Sequence, residues 1–195
     1  MMNCCSGSGS TSALRKQISV RKRPIPSAPA LAAARASVVG GFVGTSNLEA
    51  GLLYGIPTVG TSAHSFTLLH DSEEDAFAAQ VASLGPSTTI LVDTYDIATG
   101  VERAVKAARA AGGELGAVRL DSGDLVAEAF KVRAQLDALG ATSTKITVTN
   151  DLDEHAIAAL GAAPVDSYGV GTKLVTGSGR PTAALVYKLV EREGA

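Results

Sequence analysis

An α/β fold built on a parallel sheet is predicted for this chain of 195 residues by three observations. Short β-branched runs alternate with stretches whose apolar residues recur at i, i+3 and i+4. The strand starts follow one another at about thirty residues, the size of a strand–helix unit, with a last interval of roughly twenty. Each run also closes on a small group of polar residues, as strands do where their ends converge on one face of an α/β barrel. An open doubly wound sheet would gather such residues at one switch point. A barrel over 37–195 is therefore favoured, behind a disordered tail over 1–36.

The elements follow in order. Before the first acidic residue, Glu49, stand Arg15, Lys16, Arg21, Lys22, Arg23 and Arg35 among serines, glycines and prolines. CCSGSGSTS and KRPIPSAPA carry no helical or strand period and no apolar face to pack, which predicts a solvated tail. The same acid-poor, Ser- and Arg-rich composition also suits a transit peptide or a misassigned start, and KQISVRKR suits contact with nucleic acid or anionic lipid. PTVGTS (57–62) reads as the first strand. TTILVD (88–93), AVRLDS (117–122), KITVTN (145–150) and VDSYGVG (165–171) read as the next four. Helices are expected over 71–85, 96–113, 123–140 and 151–163. Gly85, Gly112 and Gly140 are placed to end three of them, and Asp96 and Asp153 to cap two. ALVYKLVE (184–191) reads as a further core strand.

Composition excludes several classes. An apolar share of 46% is that of a globular chain, so wholesale disorder is excluded. No apolar run reaches the 18 or more residues of a membrane span. A net charge of −2 gives no broad basic surface for a dedicated nucleic-acid binder. The two cysteines, Cys4 and Cys5, are adjacent, which makes neither a disulfide framework nor a zinc site and suits a reducing compartment. HExxH, GxSxG and GxxxxGK[ST] are all missing from the sequence, which sets aside zincins, elbow hydrolases and P-loop enzymes.

The polar strand ends are Thr61–His64, Asp93–Asp96, Arg119–Asp124, Asn150–Asp151 and Gly169–Thr172. RLDSGD (119–124) carries the most chemistry. Asp121 and Asp124, the Ser122 hydroxyl and the flexible Gly123 can bind a ribose diol, or a metal through waters. Arg119 can pair with a ligand carboxylate or phosphate, or with a neighbouring aspartate as a purely structural bridge. GVGT (169–172), followed by GSG, offers backbone N–H groups to a phosphate, with the Thr172 hydroxyl beside Gly169 and Gly171. His64 follows a strand directly and can act as base, ligand or phosphoryl acceptor, whereas His70 and His155 lie in or near helices and read as structural.

FVGTSNLEAGLLYGIPTVGTSAHSF, LVDTYD, VRLDSGDL, VTNDLDE and YGVGTKLVTG occur in this order over 41–190. Together they closely resemble the central and later part of bacterial-type nicotinate phosphoribosyltransferases. The resemblance implies an irregular α/β barrel of the type II phosphoribosyltransferase kind. It implies synthesis of nicotinate mononucleotide and pyrophosphate from nicotinate and phosphoribosyl pyrophosphate, the first step of NAD synthesis from nicotinate. It further implies coupling to ATP hydrolysis through a phosphorylated histidine, Mg²⁺ with the phosphates, a cytoplasmic location and a homodimer. By motif position His64 matches the phosphorylated histidine. Thr61 and Arg119 match nicotinate-contacting positions, and Thr172 a phosphoribosyl-contacting one. Asp93, Asp121 and Asp124 match acidic groups lining the ribose and metal region, and Gly169 and Gly171 match the phosphate turn.

Such enzymes are much longer, so the resemblance implies that the barrel over 37–195 is a partial one. The N-terminal portion that supplies a stacking aromatic and phosphate-binding basic residues has no recognisable counterpart in residues 1–36. A weakly active or inactive isolated chain is thus expected, with exposed strand edges prone to aggregation. Two other readings stand beside the enzyme: a non-catalytic phosphate-binding or assembly module, and an unrelated α/β phosphate-binding enzyme such as a quinolinate phosphoribosyltransferase. GTSAHS beside VRLDSGDL disfavours the last.

Overall fold

Parallel strands alternate with helices, as the period of the sequence predicts. A computed structural model describes residues 27–177, 180–182 and 190–191, together with the backbone of 4–5 and 17–18. In chain order the elements are β1 (Cys4–Cys5), β2 (Gln17–Ile18), α1 (Ser27–Val39), α2 (Leu48–Tyr54), α3 (His64–Leu68), α4 (Glu73–Leu84), β3 (Thr89–Leu91) and α5 (Ile97–Ala110). There follow β4 (Ala117–Leu120), α6 (Leu125–Ala138), β5 (Lys145–Val148), α7 (Glu154–Ala159) with a 3₁₀ turn over Leu160–Ala162, β6 (Ser167–Val170) and α8 (Thr172–Thr176). The chain divides into two compact units, residues 1–60 with 147–182, and residues 61–146 with 183–195. No helix among the described residues is long and apolar enough to cross a membrane.

In the unit containing 61–146, β3 and β4 pair in parallel with Leu91 opposite Arg119. The amide of Val92 extends the ladder to the Arg119 carbonyl at 3.2 Å. Every residue of β4 is buried, as in a parallel strand covered on both faces. Helix α5 turns Gly100, Val101, Ala104, Val105 and Ala108 inward along one stripe. Phe77 and Val81 of α4, Ile90 and Leu91 of β3, and Val132 and Leu136 of α6 complete this core, each worth about 1.5–3 kcal/mol on burial. A Cβ on Gly100 would run into the Val92 carbonyl, so glycine there lets α5 lie directly on the backbone of β3. At the other end of the strands, Arg133 of α6 donates to the Thr144 and Ala141 carbonyls at 2.7 and 3.2 Å and ties the helix to the approach of β5.

The expected caps form. Asp96 accepts from the Thr99 amide at 2.9 Å and from its hydroxyl at 2.7 Å, bonds that hold the Asp96 carboxyl below the usual carboxylate range. Asp153 accepts from the Ala156 amide at 2.8 Å with the same effect. Gly85, Gly112 and Gly140 all take positive φ where their helices end.

The unit containing 147–182 pairs β5 with β6 in parallel, Thr147 opposite Ser167, and the two buried hydroxyls share a hydrogen bond of 2.7 Å. Gly169 lies inside β6, where a Cβ would collide with the Thr149 side chain.

Two boundaries differ from the expected ones. Helix α1 takes up residues 27–36, which the sequence assigned to the tail. Leu31 and Ala34 are buried in it, so three residues' spacing already supplies the packing face that a Pro- and Ala-rich stretch concealed. The rest of the expected tail falls outside the described residues, apart from the strand backbones at 4–5 and 17–18. The first expected strand, 57–62, reduces to a single bridge between Thr45 and Thr58, held by Thr45 N–H to the Pro57 carbonyl and Val59 N–H to the Thr45 carbonyl, both 2.9 Å. Pro57 has no N–H with which to extend that ladder. The strand expected over 184–191 lies outside the described residues but for its last two.

Candidate active site

The register of β3 on β4 determines which strand-end residues meet. Because Leu91 faces Arg119, continuing both chains by two residues brings Asp93 beside Asp121. Asp93 Oδ2 accepts from the Asp121 amide at 2.7 Å and from the Ser122 hydroxyl at 2.6 Å. Gly123 follows with φ +79°, a conformation that turns the chain into α6 and that a side chain would resist. Asp124 then caps α6, accepting from the Ala127 amide at 3.1 Å.

Arg119, the last residue but one of β4, is 4% exposed. Its Nη1 donates to Thr61 Oγ1 at 2.7 Å and to the Ser62 carbonyl at 3.3 Å. Its Nη2 lies 3.1 Å from Asp121 Oδ1. The guanidinium thus ties β4 to the 61–62 segment, 58 residues away in sequence, and offers a buried positive charge that carboxylate and hydroxyl oxygens satisfy.

His64 opens α3 directly after that segment. Its Nδ1 is 3.1 Å from Thr94 Oγ1, and its Nε2 is 3.8 Å from Asp121 Oδ2. The imidazole is more than a third exposed while Arg119 beneath Asp121 is closed off. One carboxylate therefore stands between a buried guanidinium and an accessible imidazole. Asp93 is 8% exposed, and its second oxygen, Oδ1, is buried with no hydrogen-bond partner among the described residues. A buried acceptor left in this way costs about 1–3 kcal/mol unless some donor reaches it.

Among the expected residues, Thr61, His64, Asp93, Arg119, Asp121 and Ser122 form this one network, with Gly123 and Asp124 continuing it into α6. Thr94 and the Ser62 carbonyl belong to it but had no role in the sequence reading. Thr94 lies inside the 93–96 polar cluster, yet nothing in a sequence pairs it with a histidine thirty residues earlier. The other expected residues belong to the second unit. Asn150 and Asp151 follow β5 at φ +94° and +45°, a rare pair of non-glycine residues in positive φ and the kind of backbone strain that collects at functional turns. Gly171 precedes α8, and its carbonyl accepts from the Leu174 amide at 3.1 Å, while Thr172 is the first residue of that helix. His70 bonds the Phe66 carbonyl through Nδ1 at 2.8 Å and packs on the Phe66 ring, and His155 is exposed beside Glu154, both as structural histidines do.

Among the described residues no group of three or more His, Cys, Asp or Glu side chains is disposed to hold a metal. The buried Asp93 Oδ1 is a hard oxygen donor, and a Mg²⁺ that arrives on phosphate oxygens needs only one or two carboxylates. The residues present fit that kind of magnesium and not an all-protein cage.

A parallel α/β fold with a charged, partly buried network beyond the ends of its strands defines the class: an α/β domain with polar groups gathered at the carboxyl ends of β3 and β4. No protein-family model matches the chain. It is 59% identical over 173 residues to a nicotinate phosphoribosyltransferase of Mycobacterium tuberculosis, an alignment covering 85% of this chain and 38% of the relative. It is 42% identical over 165 residues to the nicotinate phosphoribosyltransferase of Bacillus subtilis, covering 82% and 34%. Among solved structures it resembles a nicotinate-nucleotide pyrophosphorylase from Pyrococcus furiosus at TM-score 0.71 and 28% identity, covering 83% of this chain and 42% of that one. The human nicotinic acid phosphoribosyltransferase follows at TM-score 0.66 and 25% identity, covering 80% and 43%. The chain belongs, over the stretch it spans, to the nicotinate phosphoribosyltransferase family. It spans little more than a third of the length of the curated relatives it matches.

Proposed function

We propose that the network around Arg119, Asp121 and His64 is the nicotinate and phosphoribosyl site of a nicotinate phosphoribosyltransferase, set in an irregular barrel of the type II kind. The reaction joins nicotinate to phosphoribosyl pyrophosphate and releases pyrophosphate. The observation that carries this reading is the carboxylate of Asp121 held between a buried guanidinium and an accessible imidazole.

Loss of pyrophosphate leaves positive charge on the ribose ring, as in glycoside cleavage. Asp121 supplies a fixed negative group to that charge, and Asp93 Oδ1 an acceptor for a ribose hydroxyl. Arg119 holds the nicotinate carboxylate by exchanging its Asp121 or Thr61 contact for the ligand, and so orients the pyridine nitrogen toward the anomeric carbon. A nicotinamide ring carries no charge to take the place of the Asp121 contact that Arg119 gives up, which favours the acid over the amide. Mg²⁺, when bound, would neutralise the departing pyrophosphate, with Asp93 and Asp121 reaching it directly or through water. Gly171 and Thr172 offer donors to a phosphate, with Asn150, Asp151 and Gly169 at neighbouring strand ends of their unit.

His64 is proposed to accept a phosphoryl group from ATP, which would add charge and acceptors at the pyrophosphate end. The enzyme is proposed to be cytoplasmic and to work as a homodimer. A second reading is a non-catalytic phosphate-binding or assembly module that keeps the phosphate turn at Gly169, Gly171 and Thr172.

The test is incubation of the chain with nicotinate, phosphoribosyl pyrophosphate, Mg²⁺ and ATP. Mononucleotide that is lost in His64→Ala when ATP limits supports the enzyme. Saturable binding of phosphoribosyl pyrophosphate without product supports the module. Absence of both contradicts the site.

A further inference from the structure

We infer that Asp93 is a positioning residue: one oxygen of its carboxylate fixes the turn after β4 and thereby sets where Asp121 stands between Arg119 and His64. This rests on the reading of Asp121 as a group of the phosphoribosyl site, but it concerns the geometry of the free chain.

Asp121 does not stand on a strand. It is the first residue beyond β4, in a turn that ends on Gly123, where the backbone has its greatest freedom. Left to itself, such a turn would let the carboxylate move by more than the 3.1 and 3.8 Å separations allow. Two bonds converge on Asp93 Oδ2 and remove that freedom. The Asp121 amide donates at 2.7 Å and fixes the backbone at the very residue in question. The Ser122 hydroxyl donates at 2.6 Å and fixes the next one. Both bonds go to a carboxylate, and Asp93 is buried two residues beyond β3, directly after Val92, whose N–H bonds the Arg119 carbonyl. The neighbouring residue on the same strand end, Thr94, meets the His64 ring at Nδ1. Residues 93 and 94, just beyond β3 and next to the Val92 N–H bond to the Arg119 carbonyl, therefore meet the two partners from one short segment, Asp121 through a carboxylate and His64 through a hydroxyl.

The two oxygens of Asp93 can be told apart. Oδ2 receives two donors, and Oδ1 none among the described residues. Asn can keep its carbonyl on the two donors, so Asp93→Asn preserves the clamp while removing the charge. Asp93→Ala removes both. Ser122→Ala removes one of the two clamping bonds and leaves Asp93 intact.

The readout is the pair of imidazole ¹⁵N resonances of His64 in the free chain at one fixed pH, assigned by their loss in His64→Gln. Asp93→Ala is expected to displace them in the same direction as Asp121→Asn does. In an Asp121→Asn background it is expected to add nothing, because its effect runs through Asp121. Asp93→Asn is expected to leave them near the wild-type positions. Wild-type positions in Asp93→Ala, or an equal displacement with Asp121→Asn already present, would overturn the inference. So would a displacement by Asp93→Asn as large as that of Asp93→Ala, which would make the effect one of charge. Should Asp93→Ala fail to fold, Ser122→Ala decides: a smaller displacement that vanishes in the Asp121→Asn background supports the clamp, and unmoved resonances contradict it. Titration of the wild-type chain with phosphoribosyl pyrophosphate is a separate arm. Its failure would count against the phosphoribosyl reading and leave the positioning result standing.

Discussion

The Arg119 guanidinium and the Asp121 carboxylate, two residues apart at the end of β4, lie 3.1 Å from one another with the arginine almost wholly buried. An arginine so enclosed is satisfied by a fork of contacts: Thr61 Oγ1 and the Ser62 carbonyl on one nitrogen, Asp121 on the other. Lysine cannot reproduce this fork, since one compact ammonium cannot reach both sides from the same stem. Arg119→Lys should lower the unfolding free energy by about 1–3 kcal/mol, the cost of leaving buried hydrogen-bonding groups unpaired. In an active assembly, Arg119→Ala should impair nicotinate use by about 2–5 kcal/mol. Urea unfolding and a nicotinate titration check the two effects, and unchanged values in both would remove Arg119 from the site.

The Thr94 hydroxyl holds the His64 ring by its Nδ1. Thr94→Val keeps the shape and loses the bond. Acylation of His64 by diethyl pyrocarbonate, followed by mass spectrometry, should then proceed about fivefold faster, the factor that a hydrogen bond of ~1 kcal/mol represents. Thr94→Ser should restore the wild-type rate. His70 and His155 serve as internal references, and an unchanged rate at His64 would show that the bond does not restrain it.

Glu73 at the start of α4 is buried, and burial raises its pKa although Arg103 donates to its Oε2 at 3.0 Å. The folded chain therefore holds this proton more firmly than the unfolded chain does. Its contribution is largest at acid pH and is lost as pH rises from the ordinary glutamate value through the raised one. Glu73→Gln removes the titration, so the variant should be as stable as the wild type or more so at neutral pH, and should lack that part of the decline between acid and neutral pH. Thermal unfolding across this range checks the sign. A Glu73→Gln chain that is much less stable at neutral pH would show that the ion pair with Arg103 outweighs burial.

Gly100 tests packing against propensity. Alanine is the better helix former by about 0.8–1.0 kcal/mol. At this position, however, its Cβ meets the Val92 carbonyl, a backbone atom just past β3 that cannot step aside. Overpacking of that kind costs about 1–3 kcal/mol and should win. Gly100→Ala is expected to unfold at lower denaturant, and a stabilised variant would mean that α5 can lift off the strand.

The alternation of strands and helices was legible because each strand is a short β-branched run and each helix carries its own punctuation, with Asp96 and Asp153 at the starts and Gly85, Gly112 and Gly140 at the ends. Helix α1 was not legible, since an Ala- and Pro-rich stretch has little amphipathic contrast and its burial at Leu31 and Ala34 depends on tertiary neighbours. Residues 57–62 form only the Thr45–Thr58 bridge, because β-branched residues signal extended chain but not a partner to pair with. At the site, His64, Arg119 and Asp121 stood out by residue type and by their motifs. What could not be read was the wiring. That Asp93 receives the 121–122 turn follows from the register of β3 on β4, and that Arg119 reaches back to Thr61 and Thr94 meets His64 follows from where the 61–64 segment packs, neither of which local sequence encodes. Gly169 and Asp124, which the resemblance places at ligands, also carry local tasks, close packing on Thr149 and the cap of α6.

The most direct test of the central claim, that one network at the strand ends receives a phosphoribosyl ligand, is residue-resolved NMR of the chain titrated with phosphoribosyl pyrophosphate and Mg²⁺. Saturable shifts concentrated at His64, Thr94 and the 119–123 turn are predicted, and the further shifts that added nicotinate produces there should be lost in Arg119→Ala. Spectra in which those residues stay unmoved while shifts arise elsewhere, or in which nothing saturates, would contradict it.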